Sequence, residues 1–117
     1  MMSKKLFMPF VLVAAMLSVC LAADLAGKWV GSVDTADGVI PITYKFSVEG
    51  ETLKGTAEAM SQTMTIQNGR VKADSVFFEV DYNGMPVFHT GVISGDSIRM
   101  QLELGEDIME GVFVKQK

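Results

Sequence analysis

The sequence predicts an all-β domain in which eight short strands form an antiparallel up-and-down meander that closes into a small barrel. Three observations carry this reading. Apolar and polar residues alternate along most of the chain after residue 24, the period-two signature of strands with one buried face. Glycine or Asn-Gly steps at Asp37-Gly38, Gly50, Asn83-Gly84, Gly95 and Gly105 interrupt the runs. They leave few residues for each connection, so consecutive strands are antiparallel neighbours. Finally, one pattern recurs in VEGETLKG from Val48, VKADSVFF from Val71 and ISGDSIRM from Ile93. Each copy reads β-branched, any, Gly or Ala, acid, Ser or Thr, aliphatic. A glycine that supplies positive φ, next to an acid and a hydroxyl that bond to local backbone, is a turn. One acid per corner is weak support for the alternative, a metal cage, which needs several converging oxygens.

The first 23 residues stand apart. MMSKK is a cationic start, LFMPFVLVAAMLSV an apolar run of 14 residues, and CLAA a small-residue cleavage region, together the layout of an export signal. The run is shorter than the roughly 20 residues of a membrane helix. Cleavage after Ala22 or Ala23 is expected, leaving residues 24–117 as one domain without a transmembrane span, in the periplasm or outside the cell. LSVC resembles the lipobox of bacterial lipoproteins, whose cysteine is lipidated. Val19 departs from that pattern, which asks for Gly, Ala or Ser, so lipidation at Cys20 is the minority alternative.

Loss of Lys4 and Lys5 with the signal moves the net charge from −4 to −6. The remaining Lys and Arg are scattered along the strands rather than clustered, which argues against nucleic acid as a partner. No cysteine remains to form a disulfide. A domain of this size buries roughly 60–70 % of its unfolded surface, enough for one core.

The strands follow in order. Residues 27–35 turn Trp29, Gly31 and Val33 inward, and residues 39–48 place Ile40, Ile42, Tyr44, Phe46 and Val48 against Pro41, Thr43, Lys45 and Ser47. Residues 52–59 contribute Leu53, Gly55 and Ala57; residues 63–72 contribute Met64, Ile66 and Val71. In SVFFEVDY, residues 75–82, the inner set is Val76, Phe78, Val80 and Tyr82. Residues 86–94 bring Val87, His89, Gly91 and Ile93 inward. SIRMQLEL, residues 97–104, sets Ile98, Met100, Leu102 and Leu104 against Arg99, Gln101 and Glu103, and residues 108–115 add Met109, Gly111 and Phe113. A one-residue slip would reverse any of these strands.

Gly27-Lys28-Trp29 resembles the G-x-W start of the calycin superfamily, which includes lipocalins, fatty-acid-binding proteins and avidins. The resemblance implies that Trp29 plugs one end of the barrel and that Lys115, in VFVKQK, packs across it. Closure removes both sheet edges. Gly50-Glu51-Thr52-Leu53-Lys54-Gly55-Thr56 is similar to a hairpin of avidin-like and small secreted lipocalin-like bacterial proteins. Trp29 is the one tryptophan, whereas avidin-like biotin sites are walled by several, so biotin binding is not implied.

Inside the barrel, Gly31, Gly55, Ala57, Gly91 and Gly111 take little volume, while Tyr44, Tyr82 and His89 bring polar tips to an apolar interior. With Phe78 and Met100 these three form the candidate ligand-binding set. Two alternatives stay open: the glycines ease the bend of a closing sheet, and an eight-stranded barrel is narrow enough to fill itself with side chains. His89 lacks the companions of a catalytic triad or a metal site, and no cofactor is expected. On the outer face, Phe77, Phe88, Val112 and Val114 form a candidate contact surface, with Phe77 and Phe88 on adjacent strands. The expected function is an exported, non-enzymatic protein that binds a small apolar or amphipathic molecule in its interior. The alternative is a periplasmic or cell-surface interaction module with a filled core, possible as a homodimer through Phe77 and Phe88.

Overall fold

The computed structural model describes residues 25–117; the export signal expected over residues 1–23, with Cys20, lies outside them. Nine strands follow in chain order: β1 Gly27–Thr35, β2 Gly38–Glu49, β3 Thr52–Ala59, β4 Gln62–Thr65, β5 Gln67–Lys72, β6 Ser75–Tyr82, β7 Met85–Ser94, β8 Ser97–Leu104 and β9 Asp107–Lys115. Each pairs antiparallel with a neighbour, β1 pairs with both β2 and β9, and β2 pairs with β3. The sheet is therefore closed.

The wall has eight positions because β4 and β5 share one. The upper part of β3 pairs with β4, as in Thr56 opposite Thr65, and its lower part with β5, as in Leu53 opposite Gly69. The single strand expected over residues 63–72 is thus broken at Ile66, whose N–H donates to the Gly55 carbonyl at 2.9 Å. Asn68 takes φ +53° and the register against β6 shifts between Gln67 and Arg70. The Asn68 Nδ2 donates to Glu79 Oε2 at 2.8 Å across the irregularity. An extra residue in one strand bends it and re-aims the side chains that follow. This reconciles inward Met64 and Ile66 with inward Val71, whose parity is opposite.

The three repeated corners are two-residue hairpin turns. Glu49 faces Thr52, Lys72 faces Ser75 and Ser94 faces Ser97. Gly50, Ala73 and Gly95 share a φ of 62°, 55° and 59°. Alanine at the middle corner adopts the glycine conformation, which costs an L-residue roughly 1–2 kcal/mol. The corners also interlock. The carbonyls of Glu51, Asp74 and Asp96 accept the N–H of Val71, Ile93 and Lys115 at 2.8, 2.7 and 2.9 Å. The acid position of one corner thus receives the β-branched residue that opens the next, and the third ties down β9. Strand alternation puts all three at one end, together with Trp29 and Lys115. The other end carries the turns at Ala36-Asp37, Met60-Ser61, Asn83-Gly84 and Gly105-Glu106.

The inward face is as the alternation predicts, with every named residue buried or half-buried.

Candidate functional site

The barrel interior is divided along its axis. Toward the corner end it is filled. Trp29 is 1 % exposed, its Nε1–H donates to the Leu25 carbonyl at 2.9 Å, and Lys115 is its cross-strand partner on β9. Above this plug lies an aromatic layer centred on Tyr44. Its ring stacks on Phe46 at 5.5 Å and meets Phe78, His89 and Phe113 edge-on at 5.6, 5.6 and 4.8 Å. Phe78 stacks on His89 at 4.3 Å. Such pairs add to the burial of the rings themselves.

Toward the opposite end the interior is hollow. A chamber of about 750 Å³ opens between the mouth turns, within the range of small-molecule sites. Its walls are Val33, Ile42, Ala57, Val80, Val87 and Leu102; Met60, Met64, Tyr82, Ile108 and Met109 also line it. Tyr44 and His89 line it too, from the aromatic layer. The Tyr82 hydroxyl contacts Met60 Sδ at 3.9 Å.

Of the five predicted ligand-binding residues, the structure therefore brings Tyr44, Tyr82 and His89 to the chamber. Phe78 and Met100 do not line it. Both are buried, Phe78 between the rings of Tyr44, Phe46 and His89, and Met100 beside Gly91. The small-residue argument for a pocket also needs correction: of the five positions, only Ala57 faces the chamber. A Cβ on Gly31 or Gly111 would strike the carbonyl of Val112 or Ser32 on the paired strand, and one on Gly91 would lie 2.8 Å from Ile98 and Val76. These glycines let backbone and large neighbours approach. Val33, Leu102, Met64 and Met109 in the chamber walls are residues that alternation alone reads as ordinary core.

The two polar groups of the aromatic layer are electrically neutral. Burial pushes the Tyr44 phenol well above its ordinary range and lowers the His89 imidazole from 6.5 to about 4. The ring holds its neutral form with Nδ1–H donating to the Val87 carbonyl at 3.1 Å, since a carbonyl only accepts. That leaves Nε2 as an acceptor. The Tyr44 hydroxyl is buried without a partner.

His89 gives the fold a pH dependence. Its folded pKa lies below the unfolded value, so between about pH 6.5 and 4 the unfolded chain binds the extra proton. Stability is complete above that window and falls as pH drops through it, by about 3 kcal/mol at its lower edge. Urea midpoints at pH 7.5 and 4 should show this loss, and His89→Phe should remove that share of it. An unchanged pH dependence in the variant would contradict the assignment.

On the outer face the register keeps Phe77 and Phe88 pointing outward, opposite Thr90 and Glu79 respectively, so they are diagonal rather than facing. The Arg70 guanidinium covers the Phe77 ring at 5.3 Å from its centroid. Exposed apolar residues lie instead at Val30 on β1, at Val112 and Val114 on the neighbouring β9, and at Val92 on β7, with Arg99 of β8 between Val112 and Val92. Among the described residues no group of three or more His, Cys, Asp or Glu converges on a metal-sized site.

No protein-family model matches the sequence, and no curated relative matches it. Solved structures do. A redesigned β-barrel is similar with a TM-score of 0.67 at 17 % identity, covering 82 % of this chain and 95 % of its own. The REP1-NXSQ fatty acid transporter has a TM-score of 0.58 at 11 % identity, covering 81 % and 98 %. Fatty-acid-binding protein 1 of Echinococcus granulosus has 0.54 at 10 % identity, covering 81 % and 99 %. At such identities the likeness concerns the fold, and the fold is a closed antiparallel barrel of calycin type.

Proposed function

We propose that this chain is an exported, non-enzymatic binding protein that holds a small apolar or amphipathic molecule in the open half of its barrel. The chamber of about 750 Å³ carries this reading. Its walls are apolar and it opens to solvent at one end. Proteins with the same fold include ones named for fatty-acid transport and fatty-acid or lipid binding. The cationic start, apolar run and small-residue region of residues 1–23 support export. His89 supports a packing role rather than proton transfer, because it sits among aromatic rings and bonds to a backbone carbonyl. The interaction-module alternative rests on a filled core, and the mouth half of the barrel is hollow. Titration with the neutral fluorophore 1-aminoanthracene tests the proposal: one-to-one binding with enhanced emission is expected. Ala57→Phe, which places a ring in the chamber, should weaken it at least tenfold. Equal binding to both proteins, or none to either, would count against a ligand chamber.

A further inference from the structure

The chamber's charge pattern says what kind of amphiphile it takes, an inference that rests on the ligand-binding reading above. No Lys or Arg is among the residues that line it, whereas Asp34, Asp37 and Asp107 all do, at the mouth. The imbalance extends around the barrel. Lys28, Lys54, Arg70, Lys72, Arg99 and Lys115 all lie in the half of their strands toward the closed end, and so does Lys45. The strand halves and turns at the mouth carry acids alone, among them Glu58, Asp81 and Glu106 besides the three aspartates. Charge of one sign around a low-dielectric cleft focuses its field and concentrates ions of opposite sign there.

A carboxylate ligand finds no favourable place in this arrangement. At the mouth it would sit among aspartates. Deeper in, it would lose its water among apolar walls and the aromatic layer, with no cation to replace the hydration.

We propose that the barrel takes a cationic amphiphile, its apolar body in the chamber and its positive group at Asp34, Asp37 and Asp107, and discriminates against fatty-acid-like anions. The three aspartates lie on one side of the opening, on the β1–β2 hairpin and at the start of the neighbouring β9, without converging on a metal-sized point. They therefore fit a bulky organic cation that keeps part of its hydration.

Competition against bound 1-aminoanthracene with dodecyltrimethylammonium, dodecanol and dodecanoate, each below its micellar concentration, tests this. The ammonium compound should displace the probe at a concentration at least about tenfold lower than the carboxylate, with the alcohol between. Raising ionic strength from about 0.01 to about 0.3 M should narrow the gap, because the Debye length shrinks from about 30 Å to below 8 Å. The Asp34→Asn, Asp37→Asn, Asp107→Asn triple variant should narrow it likewise while leaving dodecanol unchanged. Displacement by dodecanoate as strong as by the ammonium compound, or a gap the triple variant leaves intact, overturns the charge selection while ligand binding stands. If none of the three displaces the probe, and the probe itself ignores Ala57→Phe, the ligand-binding reading falls and the selection with it.

Discussion

Trp29→Ala is expected to cost on the order of 3–5 kcal/mol, as large aromatic truncations in cores do, and to leave a domain of this size near the limit of folding at 37 °C. The indole fills the closed end of the barrel and its N–H has a buried partner in the Leu25 carbonyl at 2.9 Å. Removing it opens a cavity and orphans a carbonyl together. Lys115 stands directly across on β9, with Cε 3.2 Å from the place a Gly27 Cβ would occupy. Its methylenes thus lie along the barrel end that the ring plugs, as long basic side chains do when they cover apolar surface. Lys115→Ala should cost clearly less than Trp29→Ala. In a Trp29→Leu background its effect should largely disappear, because the surface it covers has gone. Guanidinium unfolding of the four proteins reads this out. Strictly additive losses would show that plug and cover are energetically independent.

Gly55→Ala should be nearly as damaging, about 3 kcal/mol or more, although the side chain added is one methyl group. Gly55 sits where β3 exchanges β5 for β4 as its partner. Its φ is +145°, a region essentially confined to glycine, and residues held in such regions cost of order 1–3 kcal/mol. A Cβ there would also run into the Lys45 carbonyl on β2. That carbonyl belongs to the sheet backbone and cannot swing aside as a flexible side chain can. Gly50→Ala is the matching control. It has positive φ and open space around its Cβ, and Ala73 accommodates the same conformation at the equivalent corner. A loss of about 1 kcal/mol is expected there. Equal urea midpoints for the two variants would mean that the close approach at Gly55 relaxes without cost.

Most of the wall was legible because strand alternation is a local property. Period-two runs place Tyr44, Phe78, Val80, His89 and Phe113 inside with no knowledge of partners, and the structure buries each of them. The turns were legible for the same reason. A corner needs positive φ at one residue, and glycine declares it at Gly50 and Gly95, while Ala73 hides it. The break of the fourth strand was written in the chain as a parity conflict between Ile66 and Val71. Reading it as a bulge requires knowing that β3 has two partners to satisfy, which is a non-local fact.

The sequence by itself determined the strand faces and the antiparallel order, because each follows from side-chain period or turn chemistry, while the pairing of the first and last strands at Trp29 and Lys115 was implied by the resemblance of Gly27-Lys28-Trp29 to calycins. Only the tertiary structure decided where the barrel is full and where it is hollow. Tyr44, Phe46, Phe78, His89 and Phe113 lie on four strands, and their rings pile into one layer. Residues just as apolar, such as Leu102 and Met109, leave a chamber above it. Volume within a barrel depends on which side chains share a level around the axis, and that level is set by strand register and tilt. The same holds for charge. Lysines and arginines scattered along the chain gather at one end, and the mouth is left with acids alone, because each hairpin reverses direction and folds distant positions onto the same level.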